Sequence, residues 1–309
     1  MRITITRFAG GAVLAAFLMN LGAVVVLAAD LRMNQSAQPV PVLVELFTSE
    51  GCSSCPPADA LLERLDQLQP VAGAEAIVLS EHVDYWNHDG WKDVYSSSFF
   101  TDRQNDYERR FGVSSAYTPQ MVVDGSKELN GSDATAVSRA IESARSHFKI
   151  PVRISSVVLA NPKTFRVHLE VEALPADFKA RKADIFVAVA LNRAASHVSA
   201  GENKGRDIHH VAVAMSINKV GTVEKGMNFD REVLMKVATF DLANLRLIAF
   251  VQGSDGGEVV GAALLRAPIK VSPSSESRPV RPLRIVGPVQ RGDPREALES
   301  GWGESGVCF

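Results

Sequence analysis

The sequence predicts an α/β domain followed by an all-β, sandwich-like domain. Three observations carry this expectation. Over residues 41–148, short apolar runs alternate with stretches whose apolar residues recur at helical spacing. From Pro151 onward the period changes to two, giving about seven strand-length segments with turn-rich gaps. The chain has 309 residues, enough for two domains.

The first half is read element by element. Residues 42–47 form an apolar run that reads as a buried strand, and residues 48–51 are loop chemistry. Cys52-Ser53-Ser54-Cys55 follows, then Pro56-Pro57 at the start of an amphipathic helix carrying Leu61, Leu62, Leu65 and Leu68 on one face. Residues 76–80 predict a second strand, 98–111 a helix stopped by Gly112, and 120–123 a third strand. Asp124-Gly125 is a hairpin signal with residues 127–129 pairing back, and 133–147 closes the unit as a helix with Val137 and Ile141 inward.

Strands are expected at 152–159, 165–171, 185–191, 211–217, 233–238, 245–251 and 259–265, which suggests a sandwich over 151–271. Residues 273–309, rich in Pro, Arg and Gly, read as a disordered tail.

The N-terminus reads as a signal peptide over residues 1–29. Arg2 and Arg7 precede an apolar stretch that ends in Ala28-Ala29-Asp30. A retained membrane anchor is the alternative. Both predict a periplasmic or secreted location, where disulfides persist. A net charge of −2 gives no reason to expect nucleic acid as partner. Three cysteines are too few for a disulfide scaffold, and Cys308 is the odd one.

Two cysteines three positions apart at a helix start bring their sulfurs within bridging distance. The helix N-terminus favours a thiolate, the attacking species in thiol–disulfide exchange. Cys52 is expected as the nucleophile and Cys55 as the resolving thiol. Half a zinc knuckle has the same spacing, but there is no second cysteine pair. A purely structural disulfide is the stronger alternative.

The motif from Val44 to Asp59, with Glu50-Gly51-Cys52-Ser53-Ser54-Cys55-Pro56-Pro57 at its centre, resembles a family of secreted bacterial proteins of unassigned reaction within the thioredoxin superfamily. His82-Val83-Asp84-Tyr85-Trp86, Gly90-Trp91-Lys92-Asp93, Tyr117-Thr118-Pro119-Gln120 and Gly201-Glu202-Asn203 fit the same family. The resemblance implies an α/β thioredoxin-like domain over 41–148. It also implies a cis-proline loop at Thr118-Pro119 facing the disulfide, with the Thr118 backbone presenting substrate. The Ser-Ser dipeptide and the absence of a tryptophan before Cys52 depart from thioredoxin itself, so the redox direction is left open.

Other candidates surround the pair. Glu45, among apolar residues, is the expected proton acceptor, ahead of Glu50. The loop carrying His82, Asp84, Tyr85, Trp86 and Trp91 leaves the second strand at the edge where ligands gather and is expected to contact substrate. Its alternatives are an aromatic mini-core, or a metal held by His82, Asp84 and His88. No metal and no cofactor are carried forward. The polar loop 201–210 reads as an exposed hairpin more readily than as part of a site. The expected partner is a thiol- or disulfide-bearing protein or small molecule. The expected function is thiol–disulfide exchange; the alternative is a ligand- or protein-binding protein with a structural disulfide.

Overall fold

The computed structural model describes residues 38–161, 163–237, 241–254 and 256–266. The expected signal peptide, the expected tail and Cys308 lie outside them. The elements fall close to the sequence periods. They are β1 (Val40–Thr48), α1 (Pro56–Leu68), β2 (Ala74–His82), α2 (Ser98–Phe111), β3 (Gln120–Val123), β4 (Lys127–Asn130) and α3 (Ala134–Ala144). Then come β5 (Val152–Asn161), β6 (Thr164–Val171), β7 (Lys182–His197), β8 (Asp207–Glu224), β9 (Phe229–Lys236), β10 (Leu245–Gly253) and β11 (Val259–Arg266).

Their assembly overturns the expected α/β thioredoxin-like domain followed by a separate all-β sandwich-like domain. The chain is mostly β. One mixed eight-stranded sheet has the order β11-β10-β7-β8-β2-β1-β3-β4, and a second sheet has the order β5-β6-β9. Only three α-helices occur among the described residues. The large sheet draws strands from both sides of the boundary expected near residue 150. The join is a parallel bridge, Ser80 opposite Val213. Physically, the outer edge of β2 offers unpaired backbone groups, and β8 covers that edge instead of leaving it open. Met215 is the extra residue of a β-bulge beside the join, where Ala190 pairs with Ala214 and Val189 with Ser216.

β1 is buried on both faces, which is why it reads as a continuous apolar run. Val42, Val44 and Leu46 pack with Leu61, Leu62, Leu65, Val137 and Ile141 of α1 and α3. Leu43, Ile77 and Leu79 face the other way, onto Phe100 of α2 and onto Ala188, Ile248 and Phe250. Phe165, Val167 and Leu169 of β6 pack on Ile185, Val187, Leu245 and Leu247 of the large sheet. Among the described residues no helix is long and apolar enough to cross a membrane.

Candidate functional site

β1 delivers the chain to a tight turn at the N-terminus of α1. Cys52 and Cys55 are joined there by a disulfide, with Cα atoms 5.4 Å apart. Backbone bonds fix the turn: Cys52 N donates to Ser49 O at 3.1 Å and Cys55 N to Cys52 O at 3.2 Å. Both cysteines are fully buried, while Ser53 and Ser54 between them are exposed. The Ser54 hydroxyl lies 3.3 Å from Cys52 Sγ and donates to the Thr118 carbonyl, also at 3.3 Å. The Thr118–Pro119 peptide is cis. Thr118 Oγ1 accepts from Trp86 Nε1 at 2.8 Å. Gly51 sits under Trp86; a Cβ there would stand 3.1 Å from Trp86 Cβ and 3.2 Å from its carbonyl oxygen, so glycine fits where a larger residue would crowd the loop.

A buried polar cluster, built from four parts of the chain, adjoins the turn. His82 Nδ1 is 2.7 Å from Asp93 Oδ2, and the same oxygen accepts from Glu50 N at 2.9 Å. Trp91 Nε1 donates to Glu50 Oε2 at 2.8 Å. His210, from β8, pairs with Glu50 at 3.6 Å and with Asp59 of α1 at 3.5 Å. Its ring stands edge-to-face on His82, with centroids 4.6 Å apart. Burial opposes a charge on His210, but Asp59 and Glu50 outweigh it and push its pKa up to about 10. Burial also works against the Asp93 carboxylate; His82 and the N–H groups of Glu50 and Tyr95 nevertheless hold its pKa below the ordinary range.

The 201–210 segment, expected as an exposed hairpin, instead meets the disulfide turn. Asn203 Nδ2 donates to the carbonyls of both Glu50 and Cys52 at 2.9 Å. Ser53 N donates to Glu202 Oε2 at 3.0 Å. Arg206 orients the Asn203 amide through its oxygen at 2.9 Å.

The remaining candidates have other surroundings. Glu45 is buried, and its partners are Arg103, whose Nε is 2.9 Å away, and Tyr107, whose hydroxyl is 2.6 Å away. Gln252 extends this network to β10 through the Tyr107 hydroxyl at 2.9 Å. Tyr85 and Trp86 pack beside Phe47, Val83, Tyr107 and Val122, as a mini-core would. Asp84 accepts from Thr101 Oγ1 at 2.6 Å, and His88 is exposed beside Asp89. His82, Asp84 and His88 therefore have three separate sets of partners. Among the described residues no group of three or more His, Cys, Asp or Glu side chains is arranged to hold a metal ion.

Asp59, Asp93, Asn203 and His210 were not singled out as site residues by the sequence reading. Their available signal was polar residues interrupting apolar surroundings: Asp59 in a leucine-rich helix, and His209-His210 directly before the apolar stretch 211–217.

Fold and site together define a mixed-sheet protein whose buried disulfide turn is backed by an acid–imidazole cluster and capped by a distant hairpin. The family described as "Protein of unknown function (DUF1223)" matches residues 43–252, and this chain belongs to that family. No curated protein matches the chain. Among solved structures, protein AGR_C_4864 from Agrobacterium tumefaciens is similar at 25% identity and a TM-score of 0.61, covering 77% of this chain and 100% of that one. HBP35 of Porphyromonas gingivalis is similar in fold, at 15% identity and a TM-score of 0.60, covering 83% of this chain and 84% of that one.

Proposed function

We propose that the protein performs thiol–disulfide exchange through Cys52 and Cys55, with a thiol- or disulfide-bearing protein or small molecule as partner. The observation that carries this reading is the disulfide at the first turn of α1, beside buried ionisable groups that a purely structural bridge does not need. The earlier resemblance to thioredoxin-superfamily motifs supports the chemistry of this turn alone. A partner thiolate attacks Cys52 Sγ, the S–S bond breaks, and Cys55 leaves as a thiolate that takes up a proton. The partner's second thiolate then attacks the partner sulfur of the mixed disulfide. Cys52 is released and takes up the second proton. The partner loses two electrons and two protons, and the cysteine pair gains them. The same steps in reverse reduce a partner disulfide.

The expected location is an oxidising compartment outside the cytoplasm. Sequencing the N-terminus of the mature protein tests that expectation, with cleavage near Ala29 as the expected result.

The reading is tested with a dithiol peptide and its oxidised form. Wild type exchanges with one of them, Cys52→Ser loses the activity, and Cys55→Ser accumulates a mixed disulfide on Cys52. A second reading, a binding protein with a structural disulfide, is favoured by the full burial of both sulfurs. Its expected result is no exchange and no trapped adduct.

A further inference from the structure

The inference deepens the exchange reading and concerns the hairpin over the disulfide turn. A thiolate on Cys52 forms just before α1, whose dipole favours it, but Pro56 and Pro57 carry no N–H and the amides of Cys55 and Ala58 are given to the Cys52 and Cys55 carbonyls. The N–H of Ser53 is the first donor after Cys52, and it is already taken: Glu202 Oε2 accepts it at 3.0 Å. We propose that Glu202 is a positioning residue that restrains Cys52 by fixing a like charge on the Ser53 amide, beside a Cys52 thiolate. The hydrogen bond from Ser53 lowers the Glu202 pKa, so the carboxylate is charged at neutral pH.

The arrangement is held from below. Asn203, next in the chain, binds the Cys52 and Glu50 carbonyls, and Val198 and Gly205 close the hairpin through a backbone bond of 2.7 Å. The Ser54 hydroxyl lies 3.3 Å from the sulfur and in the disulfide form is given to Thr118 O. Glu50, Asp59, Asp93 and His210 adjoin the same turn from the buried side and are untouched by a change at Glu202.

The experiment uses the full chain. In a Cys55→Ser, Cys308→Ser background, the pKa of Cys52 is read from its ultraviolet thiolate absorbance. In a Cys308→Ser background, the disulfide is equilibrated against a dithiothreitol redox buffer. Glu202→Gln keeps an oxygen acceptor and removes the charge. It is expected to lower the Cys52 pKa by about one unit, and to shift the equilibrium about tenfold toward the reduced pair at pH above that pKa. Glu202→Asp keeps the charge and is expected to stay near wild type. Unchanged pKa and unchanged equilibrium in Glu202→Gln overturn the proposal. Both readouts belong to the cysteine pair and need no substrate. A protein inert in exchange therefore still decides this question, while exchange by wild type with unmoved values in Glu202→Gln sinks this inference alone.

Discussion

His210 carries its charge inside the protein, which makes it a pH-dependent element of stability. Its folded pKa, about 10, lies above the unfolded value of about 6.5, so the folded state binds the proton more tightly. The stabilisation is complete below about pH 6.5 and is lost as pH rises to about 10. Urea midpoints of wild type should fall across that window, and His210→Gln should flatten the fall. The same variant leaves Glu50 and Asp59 facing each other without a cation and should cost about 3–5 kcal/mol at neutral pH. Equal slopes for the two proteins would show that His210 does not hold its proton. At this scale the cysteine pair was legible because it occupies four consecutive positions. Asn203 was not, because its bond to the Glu50 carbonyl spans 153 residues and local periodicity carries no such information. Glu45 drew attention as a charge among apolar residues, but what explains its burial is Arg103, 58 residues away.

The helix α1 is tied to the far end of the large sheet by one carboxylate. Asp66 accepts from both arms of Arg246, at 2.8 and 3.0 Å, and from Arg266 at 2.7 and 3.2 Å. Arg246 is fully buried and keeps Asn192 Oδ1 as a further partner at 2.9 Å. Asp66→Ala strands that guanidinium and should lower the unfolding free energy by about 3 kcal/mol, the low end for breaking a buried pair. Replacing both groups, as in Asp66→Leu with Arg246→Met, should cost less than Asp66→Ala alone, and urea unfolding of the three proteins checks the order. The sequence showed the helix through Leu61, Leu62 and Leu65 because burial of one face imposes a period. It did not show what Asp66 holds, because a polar position on a helix face has the same signature in water as against a distant arginine.

For the whole molecule, the first half should not stand alone. Leu43, Ile77 and Leu79 pack against Ala188, Ala190, Ile248 and Phe250, and β2 ends its ladder on β8. A fragment of residues 38–150 exposes those side chains and an open strand edge. It should aggregate or lack a cooperative urea transition, where the full chain shows one. Size-exclusion chromatography with circular dichroism tests this, and a monomeric, cooperatively unfolding fragment would contradict it. The misreading of the fold has the same root. The apolar runs within β7 and β8 show that these stretches are covered on both faces, and say nothing of which strand lies alongside. Val213 as the neighbour of Ser80 is a fact of tertiary pairing, carried by one bridge and a bulge.

The hairpin contact also orders events in time. A chain that emerges N-terminus first delivers Cys52 151 residues before the asparagine that binds its carbonyl. At roughly 5–20 residues per second, that interval is about 8–30 s. During it the Cys52 carbonyl and the Ser53 amide stand without their hairpin partners. Only when Asn203 and Glu202 arrive does the turn gain the contacts that hold it in the finished protein.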